Sequence, residues 1–254
     1  MLNKSITVKN LYKEYEINVL DYKSFKKDLI NFFGLEKFFK NYSKTQNKIN
    51  ALQNVNFEIN KGDVVALVGE NGAGKSTLIK ILSNITEPSS GEITYEGKLI
   101  ALLTINAGLA GDCTAKENIY FLAAMHGYSK KQIDEKLQDI LDFAEISKFV
   151  DTPIKKFSGG MTTRLVFSTV LNFKPDILIA DEILANSDDN FKIKCIKKLK
   201  QLNAEGTTIL FVSHEKELIK NLCNYGILFE KGLTTQKIEI NDCYQQYSEI
   251  DKKN

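Results

Sequence analysis

The sequence predicts an α/β fold in which a mainly parallel sheet is interrupted by a helical insert. Three observations lead there. Short β-branched runs alternate with helical patterns along the chain. The runs at 64–68, 177–180 and 208–212 are continuously apolar, as parallel strands covered on both faces are. Between Ala115 and Leu171 the pattern changes to helices.

Strands are expected at Ile6–Val8, Val55–Ile59, Val64–Val68, Ile100–Leu103, Ile177–Ala180, Thr208–Val212 and Gly226–Phe229. Leu78, Ile79, Ile81 and Leu82 mark a helix after the third strand, and Ile133, Leu137, Ile140 and Leu141 share one face of a helix over Gln132–Phe143. A further helix opens at Ser158 and runs through Leu171. No internal repeat or low-complexity tract interrupts this order.

A chain of 254 residues, 43% of them hydrophobic, has the length for one domain or two closely joined subdomains around a large core. Its 34 basic residues face 32 acids, a net charge of +2, which gives no global reason to expect nucleic acid. Cys113, Cys195, Cys223 and Cys243 are scattered, with no C-x-x-C pair and only two histidines to help a metal site. Free thiols in a reducing cytosol are expected. The opening MLNKSITVKN lacks the apolar core of a secretory signal. Apolar stretches such as Leu99–Leu103 fall far short of the ~18 residues of a membrane-spanning helix. A soluble intracellular protein is therefore expected, one that reaches a membrane only by docking onto something else.

Residues 21–48 stand apart. Seven lysines against three acids are interleaved there with Phe25, Phe32, Phe33, Phe38 and Phe39. Phe25, Leu29, Phe32 and Phe33 fit one helical stripe, which Leu35, Phe38 and Phe39 continue after Gly34. One reading is a helix packing its aromatics on its own domain. The other is a surface that meets the membrane or a membrane partner.

The chemistry starts at Gly69-Glu70-Asn71-Gly72-Ala73-Gly74-Lys75-Ser76-Thr77, a G-x-x-x-x-G-K-[ST] loop between a strand and a helix. Its glycines let backbone N–H groups turn toward phosphates, and the following helix adds the positive end of its dipole. Lys75 reaches the β- and γ-phosphates in such a loop, and Ser76 ligates Mg²⁺. A second motif, Asp176 to Glu182, brings Asp181 and Glu182 to the carboxyl end of an apolar strand, where open α/β sheets bind ligands. Asp181 suits Mg²⁺, usually through water, and Glu182 suits polarising an attacking water. The third, Ser158-Gly159-Gly160-Met161, opens a helix and makes a second anion-binding device. His214 follows the strand Thr208–Val212 and reads as a γ-phosphate sensor, whereas His126 has no such setting and no role.

These four motifs, in this order, resemble the nucleotide-binding domain of ABC transporters over nearly the whole chain. The resemblance implies a P-loop NTPase (RecA-like) sheet core, an antiparallel β-subdomain and an inserted α-helical subdomain at roughly residues 107–172. It makes residues 1–240 one nucleotide-binding domain followed by a short tail, 241–254. It also implies Mg²⁺-dependent ATP hydrolysis in a head-to-tail homodimer. Each ATP is then held by Gly69–Thr77 of one subunit and by the Ser158-Gly159-Gly160 signature of the other. Tyr15 lies where the family stacks an aromatic on adenine, with Tyr12 as the alternative. Asp188 is the best aligned residue of the loop that crosses between the two sites.

Within the family, Ala101–Leu109, Thr114–Ile119 and the stretch from Asp181 to Cys195 look like exporters of bacterial cell-surface polysaccharides, the teichoic acid, O-antigen and capsule systems. That branch implies two copies of a separate transmembrane permease, a lipid-linked polysaccharide as cargo, and a peripheral site on the cytoplasmic face of the bacterial cytoplasmic membrane, without nucleic acid. The family's usual glutamine is missing from 101–109, where Thr104 and Asn106 are the candidate stand-ins. The stretch after Phe229 is too short for an independent carbohydrate-binding domain. Two other readings are a soluble ABC ATPase acting on nucleic acid or ribosomes, and a low-turnover regulatory nucleotide-binding subunit.

Overall fold

A computed structural model describes residues 3–17, 47–102, 108–181, 188–212 and 216–251. The expectations for Thr104, Asn106, Glu182 and His214, and for all but the last two residues of segment 21–48, lie outside the described residues. In chain order come strands β1 (Lys4–Ile17), β2 (Asn47–Asn60) and β3 (Val64–Gly69), helix α1 (Lys75–Leu82), and strands β4 (Ser90–Tyr95) and β5 (Leu99–Leu102). Helices α2 (Ala115–Met125), α3 (Lys130–Ala144) and α4 (Gly159–Leu171) follow. The chain then returns to β6 (Ile177–Asp181), α5 (Asp189–Ala204), β7 (Thr208–Val212), α6 (Lys216–Leu222) and β8 (Tyr225–Glu230), and finishes with β9 (Leu233–Thr234), β10 (Ile238–Glu239) and α7 (Ile240–Asp251).

Two sheets result. The larger runs β10-β8-β3-β7-β6-β5, with β9 paired to β8. It is parallel from β8 through β5 and antiparallel at β9 and β10. The smaller is antiparallel, in the order β2-β1-β4. Alternation along the central strands sorts their side chains to two faces. Val65, Leu67, Ile179, Leu210 and Phe229 pack with α1 and the antiparallel sheet, while Ala66, Val68, Leu178, Phe211 and Leu228 pack with α4, α5 and α7. Each such aliphatic or aromatic side chain taken fully out of water contributes about 1.5–3 kcal/mol, which is why these strands read as unbroken apolar runs.

The seven expected strands are all present, but β1 and β2 extend beyond their apolar centres to 14 residues each. Beyond the buried Leu52, their outer residues 12–16 and 48–51 are exposed or half-buried, with no buried run to mark them in the sequence. The edge strand β4 was not expected either, since its residues are exposed or half-buried. Bulges punctuate the ribbon at Asn10 and Asn54, both in the left-handed region with φ of 47° and 50°. The side chain of Asn56 secures both, accepting from the Asn10 N–H at 2.8 Å and donating to the Asn54 carbonyl at 2.8 Å.

The helical unit has its own core of Ile119, Ile133, Ile140, Ile146, Leu165 and Phe173. Its helices start at reciprocal caps. Thr114 and Glu117 close the amino end of α2, and Ser129 and Gln132 close that of α3. Helix α4 joins this unit to the sheet, with Leu165 in the helical core and Val166, Phe167 and Val170 in the main one.

The carboxyl-terminal stretch expected as a tail from residue 241 is helical to Asp251, and its Ile240, Cys243 and Tyr244 belong to the main core. Burial pushes the Cys243 thiol up to about 12. Gly226 on β8 makes room for this helix, because a Cβ there would lie 2.6 Å from the Cys243 sulfur. Gly226→Val is expected to destabilise the protein by about 1–3 kcal/mol through overpacking. Titration with a thiol reagent under native conditions will detect one newly reactive cysteine. A second expectation concerns His126, held below its ordinary value of about 6.5 first by burial and then by the Lys98 ammonium. Its contribution is complete above that value. As pH falls through it the unfolded chain takes the proton first, and stability is lost. Melting temperature should therefore drop between about pH 7 and pH 5, and His126→Gln should make that drop shallower.

Candidate functional site

The carboxyl ends of β3, β7 and β6 lie side by side, in the register Ala66↔Phe211 and Asp181↔Val212. The central strands thus end at one edge, with Gly69 and the glycine loop at the end of β3, Val212 at the end of β7 and Asp181 at the end of β6. A parallel sheet has no other way to bring these distant parts of the sequence together.

The glycine loop is wedged between its neighbours. A Cβ on Gly69 would lie 2.4 Å from the Phe229 carbonyl oxygen, and one on Gly74 would lie 2.6 Å from the Ala51 oxygen. Both glycines also hold positive φ, 149° and 113°. The turn at Lys231–Gly232 locks the loop from outside. Its Gly232 N–H donates to the Ala73 carbonyl at 3.0 Å, while the Gly232 and Lys231 carbonyls accept from the Gln53 backbone and side chain at 2.8 and 2.9 Å. A cavity of about 100 Å³ is lined by residues 70–73, by residues 229–231, and by Tyr247 and Ile250 of α7.

The amino end of α1 is open. No side chain caps it, whereas side-chain oxygens of Thr114, Ser129, Ser158 and Asp188 cap α2, α3, α4 and α5. Unpaired N–H groups and the helix dipole suit an anion at this end. Lys75 is buried there and donates to the Gly69 and Glu70 carbonyls at 2.6 and 2.9 Å, so its ammonium lies inside the loop. Ser76 is exposed and Thr77 half-buried. Among the described residues no group of three or more His, Cys, Asp or Glu could hold a metal. The hydroxyl of Ser76 and the carboxylate of Asp181 are hard oxygen donors that fit Mg²⁺, provided phosphate and water complete its shell.

Ser158, Gly159 and Gly160 are exposed at the amino end of α4, where the Ser158 oxygen accepts from the Met161 N–H at 3.2 Å. Nothing lies within 4 Å of a Cβ built on Gly159, and a Cβ on Gly160 meets only the Ser158 oxygen at 3.9 Å. Neither has positive φ. Glycine disfavours a helix interior by about 0.8–1 kcal/mol relative to alanine, and at this first turn of α4 no contact among the described residues requires the two glycines. Among the described residues no hydrogen bond joins this segment to the loop at 69–77.

Tyr15 and Tyr12 separate by strand register. Lys13 pairs with Leu52, whose side chain lies 2.9 Å from a Cβ built on Gly74, and Tyr15 pairs with Ile49 two residues further along the same face. Lys13 holds its ammonium 5.0 Å from the centre of the Tyr15 ring, as same-face neighbours can. Tyr12 points to the opposite face and pairs with Ser90 on β4.

Asp188 is committed within the chain. One carboxylate oxygen accepts from the Phe191 N–H at 3.0 Å and the other from Arg164 at 2.7 Å. The Arg164 bond is the main reason its carboxyl is held below the usual range. The sequence reading passed over Arg164. The available signal was composition: lysine outnumbers arginine 33 to 1, and this is the one arginine.

Comparison with known proteins agrees with this geometry. The family model for ABC transporter matches residues 52–185. The ABC transporter protein AbcA of Aeromonas salmonicida is 42% identical over 182 residues, covering 72% of this chain. The teichoic acids export ATP-binding protein TagH of Staphylococcus epidermidis is 37% identical, covering 97% of this chain and 89% of that protein. The O-antigen export system ATP-binding protein RfbB of Klebsiella pneumoniae is 37% identical, with 71% and 73% covered. The chain spans 59% of the length of AbcA and 42% of that of a TagH from Bacillus cereus. Among solved structures, a dimeric ATP-binding cassette in a post-hydrolysis state with ADP and phosphate shares the fold, with a TM-score of 0.72 at 22% identity over 92% of this chain and 98% of that one. With a family match over more than half its length, and relatives of this identity along nearly all of it, the chain belongs to the ABC transporter family.

Proposed function

We propose that this chain is the ATP-binding and ATP-hydrolysing subunit of an ABC transporter, and that it powers export of a cell-surface polysaccharide of the teichoic acid or O-antigen type through a separate membrane permease. The observation that carries the reading is the pair of helix ends described above. The amino end of α1 is open to an anion beside Lys75, while Gly159 and Gly160 leave open space next to the exposed Ser158. Two copies arranged head to tail fill both needs, each phosphate loop facing the other copy's signature. The nucleotide-binding domain expected over residues 1–240 then takes in α7 as well, and its helical subdomain covers roughly residues 107–172.

In this reading the N–H groups of Gly69–Thr77 and the Lys75 ammonium bind the β- and γ-phosphates of ATP. Ser76 and Asp181 hold Mg²⁺, which when bound neutralises charge on those phosphates. Glu182 orients the attacking water, and His214 contacts the γ-phosphate. Ser158, Gly159 and Gly160 of the second copy close over that phosphate. Support for Tyr15 over Tyr12 as the adenine platform comes from its place on the loop-facing side of β1. Among the described residues no helix is long and apolar enough to cross a membrane. The permease, in two copies, therefore supplies the path for a lipid-linked glycan, with this subunit peripheral to it on the cytoplasmic face. Support for the cargo class comes from the relatives whose names specify teichoic acid and O-antigen export.

Glu182→Gln should retain ATP binding and accumulate an ATP-bound dimer, with hydrolysis reduced by about 10²–10⁴-fold; phosphate release and light scattering measure the two. Turnover near wild type would remove Glu182 from its role. Ser158→Arg should stay folded and monomeric and bind ATP without dimerising, because the arginine occupies the space reserved for the other copy. A fully active monomer of that variant would defeat the shared site. Purification with the permease, followed by mass spectrometry of bound lipid-linked glycan, tests the cargo.

A further inference from the structure

We propose that Arg164 is a positioning residue whose forked guanidinium, gripped by Glu145 and Asp188, sets the signature end of α4 relative to the start of α5. The inference rests on the functional reading above.

Three helices meet at this one side chain. Arg164 lies on α4, six residues after Ser158. Its Nη1 donates to Glu145 at 2.5 Å and its Nη2 to Asp188 at 2.7 Å. Glu145 is the left-handed C-cap of α3, with φ of 60°, and Asp188 is the N-cap of α5. Lys194 of α5 reaches back to complete the node, donating to the Phe143 carbonyl at 2.8 Å and to Glu145 at 3.3 Å. Beneath it the Phe191 ring lies 5.4 Å from the guanidinium carbon and meets Phe143 and Phe167 edge-on at 5.9 and 6.4 Å.

The chemistry of the node requires arginine. A planar fork satisfies two carboxylates on separate elements while its guanidinium carbon lies 5.4 Å from the centre of the Phe191 ring. An ammonium is a point charge and keeps no such geometry. In a chain with 33 lysines, the single arginine stands where a lysine would not do. Ion pairs at this exposure contribute little to stability, so the consequence of the node is placement. Asp188 caps the start of α5, and α4 begins at the signature. Arg164 is the direct link between them.

The test uses the full chain and separates placement from folding. Arg164→Lys and Arg164→Met should each lower kcat for ATP by about 10- to 100-fold, the scale of a misplacement of about 1 Å. They should also weaken ATP-driven dimerisation in a Glu182→Gln background. Affinity for a fluorescent ATP analogue, measured in the Ser158→Arg monomer, should not change. Glu145→Gln should lower kcat less, and its combination with Arg164→Met should be no worse than Arg164→Met alone. Wild-type kcat for Arg164→Lys would overturn the proposal. So would additive losses in the double variant, or a loss of monomer nucleotide affinity parallel to that of kcat. Wild-type protein without ATPase activity would instead defeat the functional reading on which the proposal stands.

Discussion

The constraint on which the rest of this structure depends is the close approach of backbone to backbone around the glycine loop. Side chains are excluded at Gly69 by β8 and at Gly74 by β2. The loop can therefore fold only where the parallel sheet and the antiparallel sheet meet. That junction keeps the amino end of α1 free of side-chain caps and holds Lys75 inside the turn. A buried ammonium is costly without partners; here the Gly69 and Glu70 carbonyls receive it. The antiparallel sheet is consequently part of the site: it walls the loop and carries Tyr15 beyond it on the same face as Leu52.

The second organising feature is the division of the molecule into separately packed cores. The helical unit buries its own apolar face, with α4 spanning the boundary between that core and the sheet. Apolar contacts around α4 allow a range of small displacements, because dispersion and burial are non-directional. Charge-assisted hydrogen bonds do not. The bonds among Arg164, Glu145, Asp188 and Lys194 give the boundary a definite geometry at the amino end of α5, and the Arg164 and Phe191 bonds keep both oxygens of Asp188 occupied within the chain.

Much of the fold was legible because burial on both faces leaves an unmistakable mark. Val64–Val68, Ile177–Ala180 and Thr208–Val212 are apolar at every position, and each is a central parallel strand. Legibility fails where burial is partial. The ribbon residues 12–16 and 48–51, and the edge strand β4, pair through their backbones while their side chains are exposed or only half-buried, so no periodicity announces them. Helix α7 does carry an amphipathic spacing in Ile240, Cys243, Tyr244 and Tyr247, yet its polar neighbours read as a tail. In the candidate site the glycine loop and the strand-ending Asp181 were legible as motifs. Arg164 was not, since an arginine on a helix is locally unremarkable.

By itself the sequence determined which residue types stand at which ends of which elements: glycines and a lysine between β3 and α1, carboxylates after β6, a serine and two glycines before α4. These follow from local spacing, and local spacing is what a linear chain can specify. Only the tertiary structure decided which tyrosine faces the loop, because each bulge along the β1–β2 ribbon shifts the pairing and so changes which side chains share a face. Only it decided that Glu145, Arg164 and Asp188 converge, since bonds between residues so far apart in sequence leave no periodic trace. Only it exposed Gly159 and Gly160 as unused space, because the absence of a neighbour is a property of the packed molecule and not of the chain.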